Sequence, residues 1–267
     1  MNKDSLGDRM KENYENRYRF SLTRRTPVII RIDGKAFHTF TKEFVRPFDY
    51  IMAKSMAETA MTLCKEIMGC QLAYTQSDEI SLLLIDYKKL TSEAWFDNNL
   101  QKIVSVAASI ATLAFNKAFR INSELLLEDG FYKNLGWSDY VGKYYFYTKQ
   151  HETALFDARA FNIPESEVCN YFIWRQQDAT RNSIESAGHA YFSNKELHRV
   201  NCSQIQEKLF KQKQINWNNY PTIFRRGACI KKDYFENQLH GVWTIDTEIP
   251  VFSQNRAYIE NLLLPEV

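Results

Sequence analysis

The sequence predicts an α+β fold in which an antiparallel sheet carries helices on one face, followed by a mostly helical C-terminal extension. Short apolar runs alternate with helical patterns in the order β-α-β-β-α-β over residues 1–163. Mainly helical patterns follow Pro164. The chain has 267 residues, of which 45% are hydrophobic, and is long enough for one large domain or a domain with an appendage.

The first strand and the first core helix are marked by apolar residues. A charged amphipathic helix is expected over residues 4–20, and the apolar run at 27–30 predicts a strand over residues 27–33. Pro47 predicts the start of a helix that runs to about Met68, because proline is favoured in the first helical turn. Its apolar positions share one face: Met52, Met56, Ala60, Leu63 and Ile67.

A hairpin, a buried helix and a further strand complete the pattern. Residues 72–74 and 79–85 predict two strands, residues 100–119 an apolar and therefore buried helix, and residues 155–161 another strand. This order is the ferredoxin-like arrangement, which also forms the palm of many polymerases and cyclases. Fold alone does not give function, so the site has to be argued from its residues.

The remaining segments predict one compact unit with an extension. We expect a palm-like domain with its N-terminal helix over residues 1–163, and a mostly helical extension packed on it over 164–267. Residues 120–150 are expected to form a less regular insertion, and a long helix to follow Pro164. Ser203 with Gln206 matches the pattern of a helix capping box.

Composition indicates a cytoplasmic protein that is not membrane-bound. The five cysteines form no CxxC pair, which suits a reducing compartment, and the N-terminus lacks an apolar signal region. The helical pattern at residues 103–119 is interrupted by polar residues and is too short to span a bilayer. Net charge is only +2, so the molecule as a whole is not strongly attracted to polyanions.

Basic residues are nevertheless concentrated in one segment. Residues 208–232 contain seven basic residues and no acidic one, with aromatic residues between them. Such a segment can neutralise phosphates and stack on exposed bases, although it can equally be a solvated loop with its aromatics turned inward.

Two acidic motifs predict a metal-dependent nucleotide site. Asp33 lies in Arg-Ile-Asp-Gly-Lys-Ala-Phe-His at residues 31–38, after the first strand, and Asp78 lies in Gln-Ser-Asp-Glu at 76–79, before another strand. Two carboxylates at one rim of a sheet suit Mg²⁺, which takes one or two carboxylates plus substrate phosphates. Lys35 and His38 place positive or hydrogen-bonding groups nearby. Asp-Gly is also a common hairpin turn, so either motif alone is ambiguous.

Five further motifs accompany the two acidic ones along the chain: Arg-Pro at 46–47, Phe-Asp-Ala-Arg at 156–159, Trp-Arg-Gln-Gln-Asp-Ala at 174–179, Ile-Asn-Trp-Asn-Asn-Tyr-Pro at 215–221 and Arg-Arg-Gly at 225–227. With the motifs at 31–38 and 76–79, this ordered set resembles the tRNA-His guanylyltransferase superfamily over roughly residues 5–230. That family adds nucleotides in the 3′-to-5′ direction to RNA 5′ ends with a polymerase-like palm. The resemblance implies that residues 1–163 form the catalytic domain and that the extension, 164–267, is RNA-facing.

The resemblance implies a two-metal site, a nucleoside triphosphate site and tRNA as partner. Asp33, the backbone carbonyl of Gly34 and Asp78 would bind two Mg²⁺ ions, with Asp33 and Asp78 as the catalytic residues. ATP would activate the RNA 5′ end, and GTP or another nucleoside triphosphate would be added. The nucleotide-binding residues would be Asp33, Gly34, Lys35, Ala36, Phe37, His38, Arg46, Ser77 and Asp78. Arg46 replaces the lysine of many relatives.

One departure favours the branch of "like-proteins" found in bacteria and archaea. The founding eukaryotic enzymes carry His-Ile-Asn-Asn where this chain has Thr-Arg-Asn-Ser at 180–183. Members of the like-protein branch repair 5′-truncated tRNAs by templated addition, so we expect repair here. Guanylylation of tRNA-His is the close alternative, and a palm-type nucleotide cyclase or a non-catalytic RNA-binding module are more distant ones.

The extension and one insertion supply the expected macromolecular contacts. The family commonly forms tetramers, and the aromatic insertion at 131–147 is a candidate interface for a homotetramer. The candidate RNA-binding residues are Arg175, Arg181, Lys208, Lys211, Arg225 and Arg226.

Overall fold

A six-stranded antiparallel sheet organises the chain, in the order β4-β1-β3-β2-β5-β6. The computed structural model describes residues 5–128, 137–234 and 241–264. The sheet and its helices confirm the predicted α+β class. The strands are β1 Val28–Gly34, β2 Cys70–Gln76, β3 Glu79–Leu84, β4 Phe156–Asn162, β5 Ala228–Asp233 and β6 Val242–Asp246.

Nine α-helices occur among the described residues, together with short 3₁₀ and π turns. They are α1 Ser5–Met10, α2 Phe37–Phe40, α3 Tyr50–Glu66, α4 Leu100–Glu128, α5 Trp137–Gln150, α6 Glu165–Tyr191, α7 Cys202–Lys213, α8 Thr222–Arg226 and α9 Ala257–Glu260.

The main core lies between one face of the sheet and helices α3 and α4. Side chains alternate between the two faces of a strand, and Val28, Ile30 and Ile32 of β1 join this core, where they are almost wholly buried. The same cluster includes Leu63 of α3 and Phe115 of α4. The two helices predicted for one face of the sheet are therefore in place.

The opposite face carries a second core beneath α6. Ile29 of β1 and Leu83 of β3 pack there with Phe172 of α6, all fully buried. A third, smaller core joins the C-terminal half of α6 to α7, through residues such as Ile184, Leu209 and Trp217. The extension thus covers part of the sheet face that the first 163 residues leave open.

Two strands in the extension were not predicted. β5 pairs with β2, with Tyr74 opposite Cys229, and β6 pairs with β5. The segment after Pro164 therefore extends the sheet of the first 163 residues as well as adding helices. The first half of β5 is a short apolar run, Ala228, Cys229 and Ile230. This run lies within residues 208–232, the segment in which basic residues are concentrated.

Several helix boundaries differ from prediction. α3 begins at Tyr50 rather than Pro47, because Asp49 caps it by accepting from Met52 N at 2.9 Å. α4 continues to Glu128, and the segment predicted to be irregular contains α5. Residues 131–136 of the expected interface insertion, 131–147, lie outside the described residues.

The ends of two further helices also need correction. The capping box of α7 is formed by Asn201 and Gln204, not by Ser203 and Gln206. At the N-terminus, the expected continuous helix is a six-residue α1 followed by a π turn, Lys11–Glu15, and a 3₁₀ turn, Asn16–Tyr18, with no buried residue in any of them.

Helix α4 is long and apolar enough, over Leu100–Leu125, to cross a membrane by length and composition alone. One of its faces is fully buried in the main core, through Ile103, Ala107, Phe115 and Phe119. This packing is typical of the core helix of a globular domain.

Candidate active site

The structure brings Asp33 and Asp78 to the same rim of the sheet. Asp33, near the end of β1, lies directly opposite Glu79 at the start of β3. Gly34 N donates to the backbone oxygen of Asp78 at 3.1 Å, which ties the end of β1 to the β2–β3 turn. The sequence placed both carboxylates at one rim, and the antiparallel register is the reason that they meet there.

The rim concentrates negative charge in a partly desolvated place. Burial raises the pKa of Asp78, and the nearby carboxylates of Asp33 and Glu79 raise it further, while Ser77 Oγ donates to Asp78 at 3.0 Å and opposes the shift. Bringing a cation to this rim would relieve the repulsion between the carboxylates.

The donor set fits Mg²⁺ shared with substrate phosphates. Within the described ranges, no group of three or more His, Cys, Asp or Glu side chains is arranged to hold a metal. Asp33 and Asp78 supply two carboxylates, and Gly34 a carbonyl. Mg²⁺ is usually bound in this way, by one or two carboxylates together with phosphates and water.

Two backbone turns give the rim its shape. Ser77 has φ 49° and Ala36 has φ 56°, both in the left-handed region that residues other than glycine seldom adopt. Such conformations concentrate at ligand sites, where the surrounding structure holds them. Here the hairpin register holds Ser77, and Lys35 N, which donates to Leu155 O at 2.8 Å, anchors the turn at Ala36.

Gly34 is required by packing within the chain. A Cβ added there would overlap the ring of Phe37. Phe37 is buried in the aromatic part of the main core, with ring centroids 5.1 Å from Phe156 and 5.5 Å from Phe115. Its side chain therefore packs the loop onto the core instead of facing a nucleotide. The side chains of Lys35 and His38 are exposed.

A cleft of about 710 Å³ opens beside the rim. Its volume is in the range of pockets for small molecules and cofactors. His38, Arg46 and Ser77, all predicted nucleotide-binding residues, line it.

The far wall of the cleft contains residues that sequence reasoning did not select. α6 contributes Asn182, Ser186 and His189, and α8 contributes Phe224. Phe224 stacks on Phe48, which also lines the cleft, at 5.2 Å between ring centroids. The Thr-Arg-Asn-Ser departure at 180–183, of which Asn182 and Ser183 line the cleft, was the sequence feature that pointed to this wall.

Arg226 was predicted as an RNA contact, but it lies in the cleft. Its Nε atom is buried and has no hydrogen-bond partner among the described residues. A buried guanidinium nitrogen without a hydrogen-bond partner is costly, and the rest of the Arg226 side chain brings positive charge to the lining of the cleft.

Arg175, a predicted RNA contact, is instead buried with 5% exposure. Its Nε and Nη2 atoms each donate to Glu79 at 2.7 Å, and Nη2 also contacts Asp178 at 3.1 Å. The RNA assignment of Arg175 is therefore wrong, because the guanidinium is enclosed and saturated. Glu79 is correspondingly engaged, which separates it from the two metal candidates.

The remaining predicted RNA contacts do not form one strip. Arg181 pairs with Asp178, Lys211 with Glu207, and Lys208 donates to Glu196 O at 3.0 Å. Arg225 Nε donates to Tyr220 O at 2.7 Å. The basic segment is divided among α7, α8 and β5, and its Trp217 is buried against Ser183, so the pattern of basic and aromatic residues does not correspond to one surface.

Comparisons with known proteins identify the family and the fold. The family model described as tRNAHis guanylyltransferase (Thg1) matches residues 7–164. A solved structure of a bacterial Thg1-like protein in complex with ATP is similar, with TM-score 0.82, 43% identity and coverage of 98% of this chain and 100% of that one. A structure described as the bacterial Thg1-like protein in complex with GTP gives TM-score 0.77 and 43% identity, and the coverage is 97% and 99%.

A fungal relative supports the same assignment. The tRNA(His) guanylyltransferase of Debaryomyces hansenii is 30% identical over 78% of this chain and 74% of its own length. The match of the family model covers more than half of the chain, and the similarity to the bacterial structures extends over both the palm and the extension. This chain belongs to the tRNAHis guanylyltransferase family, in its Thg1-like branch.

Proposed function

We propose that this protein repairs 5′-truncated tRNA by templated addition of nucleotides in the 3′-to-5′ direction, with Mg²⁺ and ATP. As a member of its family, it is a nucleotidyltransferase that acts on tRNA. The observation that carries the proposed metal-dependent chemistry is the joint placement of Asp33 and Asp78 at one rim of the sheet, beside a cleft large enough for a nucleoside triphosphate.

The reaction requires an activated 5′ end. The 5′-monophosphate first attacks the α-phosphate of ATP, which forms an adenylylated 5′ end and releases pyrophosphate. The 3′-hydroxyl of the incoming nucleoside triphosphate then attacks the activated phosphate, and AMP leaves. A 5′-triphosphate would react directly and release pyrophosphate.

The chain's own residues bind and orient both substrates. Asp33, Asp78 and the Gly34 carbonyl would hold Mg²⁺, which when bound lowers the pKa of the attacking hydroxyl and stabilises the leaving oxygen. Arg46, His38 and Ser77 line the cleft where triphosphate charge would lie. No protein nucleophile is needed, because positioning and electrostatics supply most of the acceleration in phosphoryl transfer.

Guanylylation of tRNA-His is the second candidate. The family model and the fungal relative carry that name. Against it stands Thr-Arg-Asn-Ser at 180–183, where Asn182 lines the cleft. The similarity to the bacterial Thg1-like structures, at 43% identity, favours repair.

A gel assay separates the two. The protein is given Mg²⁺, ATP and all four nucleoside triphosphates, with 5′-monophosphorylated tRNA lacking its first nucleotide, or with full-length tRNA-His. Extension of the truncated RNA that stops at a complete acceptor stem supports repair. Addition of a single G to tRNA-His alone would support guanylylation, and no extension of either RNA would overturn both.

A further inference from the structure

Part of the sheet face that carries α6 is left open beside Asp33. Arg31 and Asp33 of β1 alternate onto that face, as Ile29 does, and the register places Arg159 of β4 opposite Arg31. Where α6 crosses this face, Phe172 packs on Tyr74 of β2 at 6.5 Å and Tyr171 on Phe161 of β4 at 5.9 Å between ring centroids. The residues of β4 on this face, Asp157, Arg159 and Phe161, remain exposed, so the outer part of the sheet beside β1 is accessible.

Two guanidinium groups stand side by side on this open strip without a strong partner. The backbone of Arg31 is paired within the sheet, but its guanidinium makes no hydrogen bond or ion pair with any of the described residues. Arg159 has one ion pair, with Asp157 at 3.5 Å, and both of those side chains are more than half exposed, so the pair is weak. Like charges directly opposite each other on antiparallel strands repel. An anion between them would remove that repulsion.

An exposed aromatic ring borders the same strip. Trp174 of α6 is 51% exposed, although one of its faces is covered by Arg175 at 4.5 Å. Tyr171 connects it to the strip: its ring is 5.9 Å from Trp174 and 5.9 Å from Phe161 of β4. Tyr171 also shares a 2.8 Å hydrogen bond with Ser81, the residue opposite Arg31 on β3. Arginines and an open indole are thus neighbours.

The carboxylates lie between this strip and the cleft. Arg31 and Asp33 are two residues apart on one face, about 7 Å along the strand. No residue of the strip lines the cleft, whereas Ser77, the neighbour of Asp78, does. A transfer between two substrates requires a binding place on each side of the reacting centre, and the cleft supplies only one.

We infer that Arg31 and Arg159 bind the 5′-terminal phosphate of the RNA acceptor and that Trp174 stacks on its first base. This inference rests on the proposed function and assigns the second substrate to its own site. Guanidinium groups suit a terminal phosphate, because they donate paired hydrogen bonds to its oxygens. An exposed indole suits an unpaired base of any sequence. The chemistry therefore selects the phosphorylated end of a strand rather than an internal stretch of duplex.

The test measures binding of RNA without any reaction. Fluorescence anisotropy compares a labelled acceptor-stem RNA carrying a 5′-phosphate with the same RNA carrying a 5′-hydroxyl, in the absence of nucleoside triphosphates. We expect the wild type to bind the 5′-phosphorylated RNA about tenfold more tightly than the 5′-hydroxyl RNA, and Arg159→Gln to lose most of that preference. The same variant should reduce the slope of log binding constant against log salt concentration by about 1. Trp174→Ala should weaken the binding of both RNAs by about tenfold, and Trp174→Phe should restore most of the lost affinity.

The control is Arg120→Gln, which removes an equally exposed arginine from α4, paired only loosely with Glu152 at 3.5 Å. It should leave the phosphate preference unchanged. Arg159→Gln is preferred to Arg31→Gln as the first variant because the Arg159 side chain is 55% exposed, so the substitution should not disturb folding. Thermal melting of each variant checks that the fold is retained.

Each outcome bears on one claim. If Arg159→Gln keeps the full preference for 5′-phosphate, the inference is wrong, even when the wild type extends truncated tRNA. If Arg159→Gln and Trp174→Ala change the sedimentation mass but not the RNA preference, the strip is a contact between subunits. If the phosphate preference depends on Arg159 but no RNA is ever extended, the inference stands and the proposed function fails.

Discussion

Arg175 on α6 holds Glu79 at the start of β3 through two hydrogen bonds of 2.7 Å, although the two residues are 96 positions apart in the chain. This buried pair fixes α6 against the strand that follows the Asp78 turn. It also neutralises the third carboxylate of the rim. The pair therefore positions the candidate metal site without belonging to it.

Breaking this pair should be strongly destabilising. Arg175→Met leaves Glu79 as a buried, uncompensated charge, and we expect a loss of roughly 3–5 kcal/mol in the free energy of unfolding. The double variant Glu79→Gln with Arg175→Met should recover a large part of that loss. Urea denaturation measures both, and Lys211→Ala, which removes an exposed pair with Glu207, should cost less than about 1 kcal/mol. Equal losses in Arg175→Met and Lys211→Ala would contradict the account.

Replacing the rim carboxylates should separate activity from stability. Asp78→Asn and Asp33→Asn are expected to reduce nucleotide addition by at least about a hundredfold, since each removes a carboxylate that we propose as a metal ligand. The pKa of Asp78 is raised, so its charged form is disfavoured in the fold. The wild type should lose stability as pH rises through the ordinary value of 3.8 towards the raised one. Without metal, Asp78→Asn should melt no lower than the wild type at pH 7 and lose any advantage below pH 3.8. Clear destabilisation of Asp78→Asn at pH 7 would show that the charged Asp78 carboxylate stabilises the fold, contrary to this prediction.

Gly227 should tolerate no side chain. Its φ is +86°, and an added Cβ would overlap the backbone oxygen of Thr75 on β2. We expect Gly227→Ala to lower the free energy of unfolding by more than about 1 kcal/mol. Gly142→Ala is the matched control: nothing lies within 4 Å of its Cβ position in α5, and alanine there should stabilise by roughly 0.5–1 kcal/mol. Chemical denaturation of both variants gives the comparison, and equal effects would refute it.

The capping of α7 gives a sharp local test. Asn201 Oδ1 accepts from Gln204 N at 3.0 Å, and Gln204 Oε1 accepts from Asn201 N at 3.0 Å. Asn201→Ala should therefore cost about 1 kcal/mol. Ser203→Ala should be nearly neutral, because Ser203 lies inside the helix. If Ser203→Ala proved the more damaging change by thermal melting, the sequence-based capping box would be right after all.

Local patterns predicted the elements that meet at the rim. β1 and β3 each contain a short apolar run, at residues 28–30 and 82–84, and each acidic motif adjoins its strand, so the meeting of Asp33 and Asp78 followed from antiparallel order. The two alternatives for the cap of α7 match the same four-residue pattern, and the sequence cannot rank them. β5 was missed because three apolar residues followed by Lys231 and Lys232 carry little periodicity.

The misassignment of Arg175 has a different cause. An arginine on a predicted helix is usually exposed, and no pattern within the helix reveals a partner 96 residues earlier. The open strip of Arg31, Arg159 and Trp174 was also invisible in the sequence, because three separate motifs supply it. Both the burial of Arg175 and the position of the open strip depend on strand register and on where α6 crosses the sheet.

The third core has a thermodynamic consequence for substrate binding. It is the smallest of the three clusters, and it joins the C-terminal half of α6, which forms the far wall of the cleft, to α7. Small clusters open locally at lower free energy than the whole domain, so amide hydrogens of α7 should exchange faster than those of β1. We expect a nucleotide that contacts both the rim and the far wall to bind only when the third core is folded and that wall is in place. Its affinity is therefore linked to this local unfolding equilibrium, and saturation with nucleotide should slow exchange in a helix that the nucleotide need not touch.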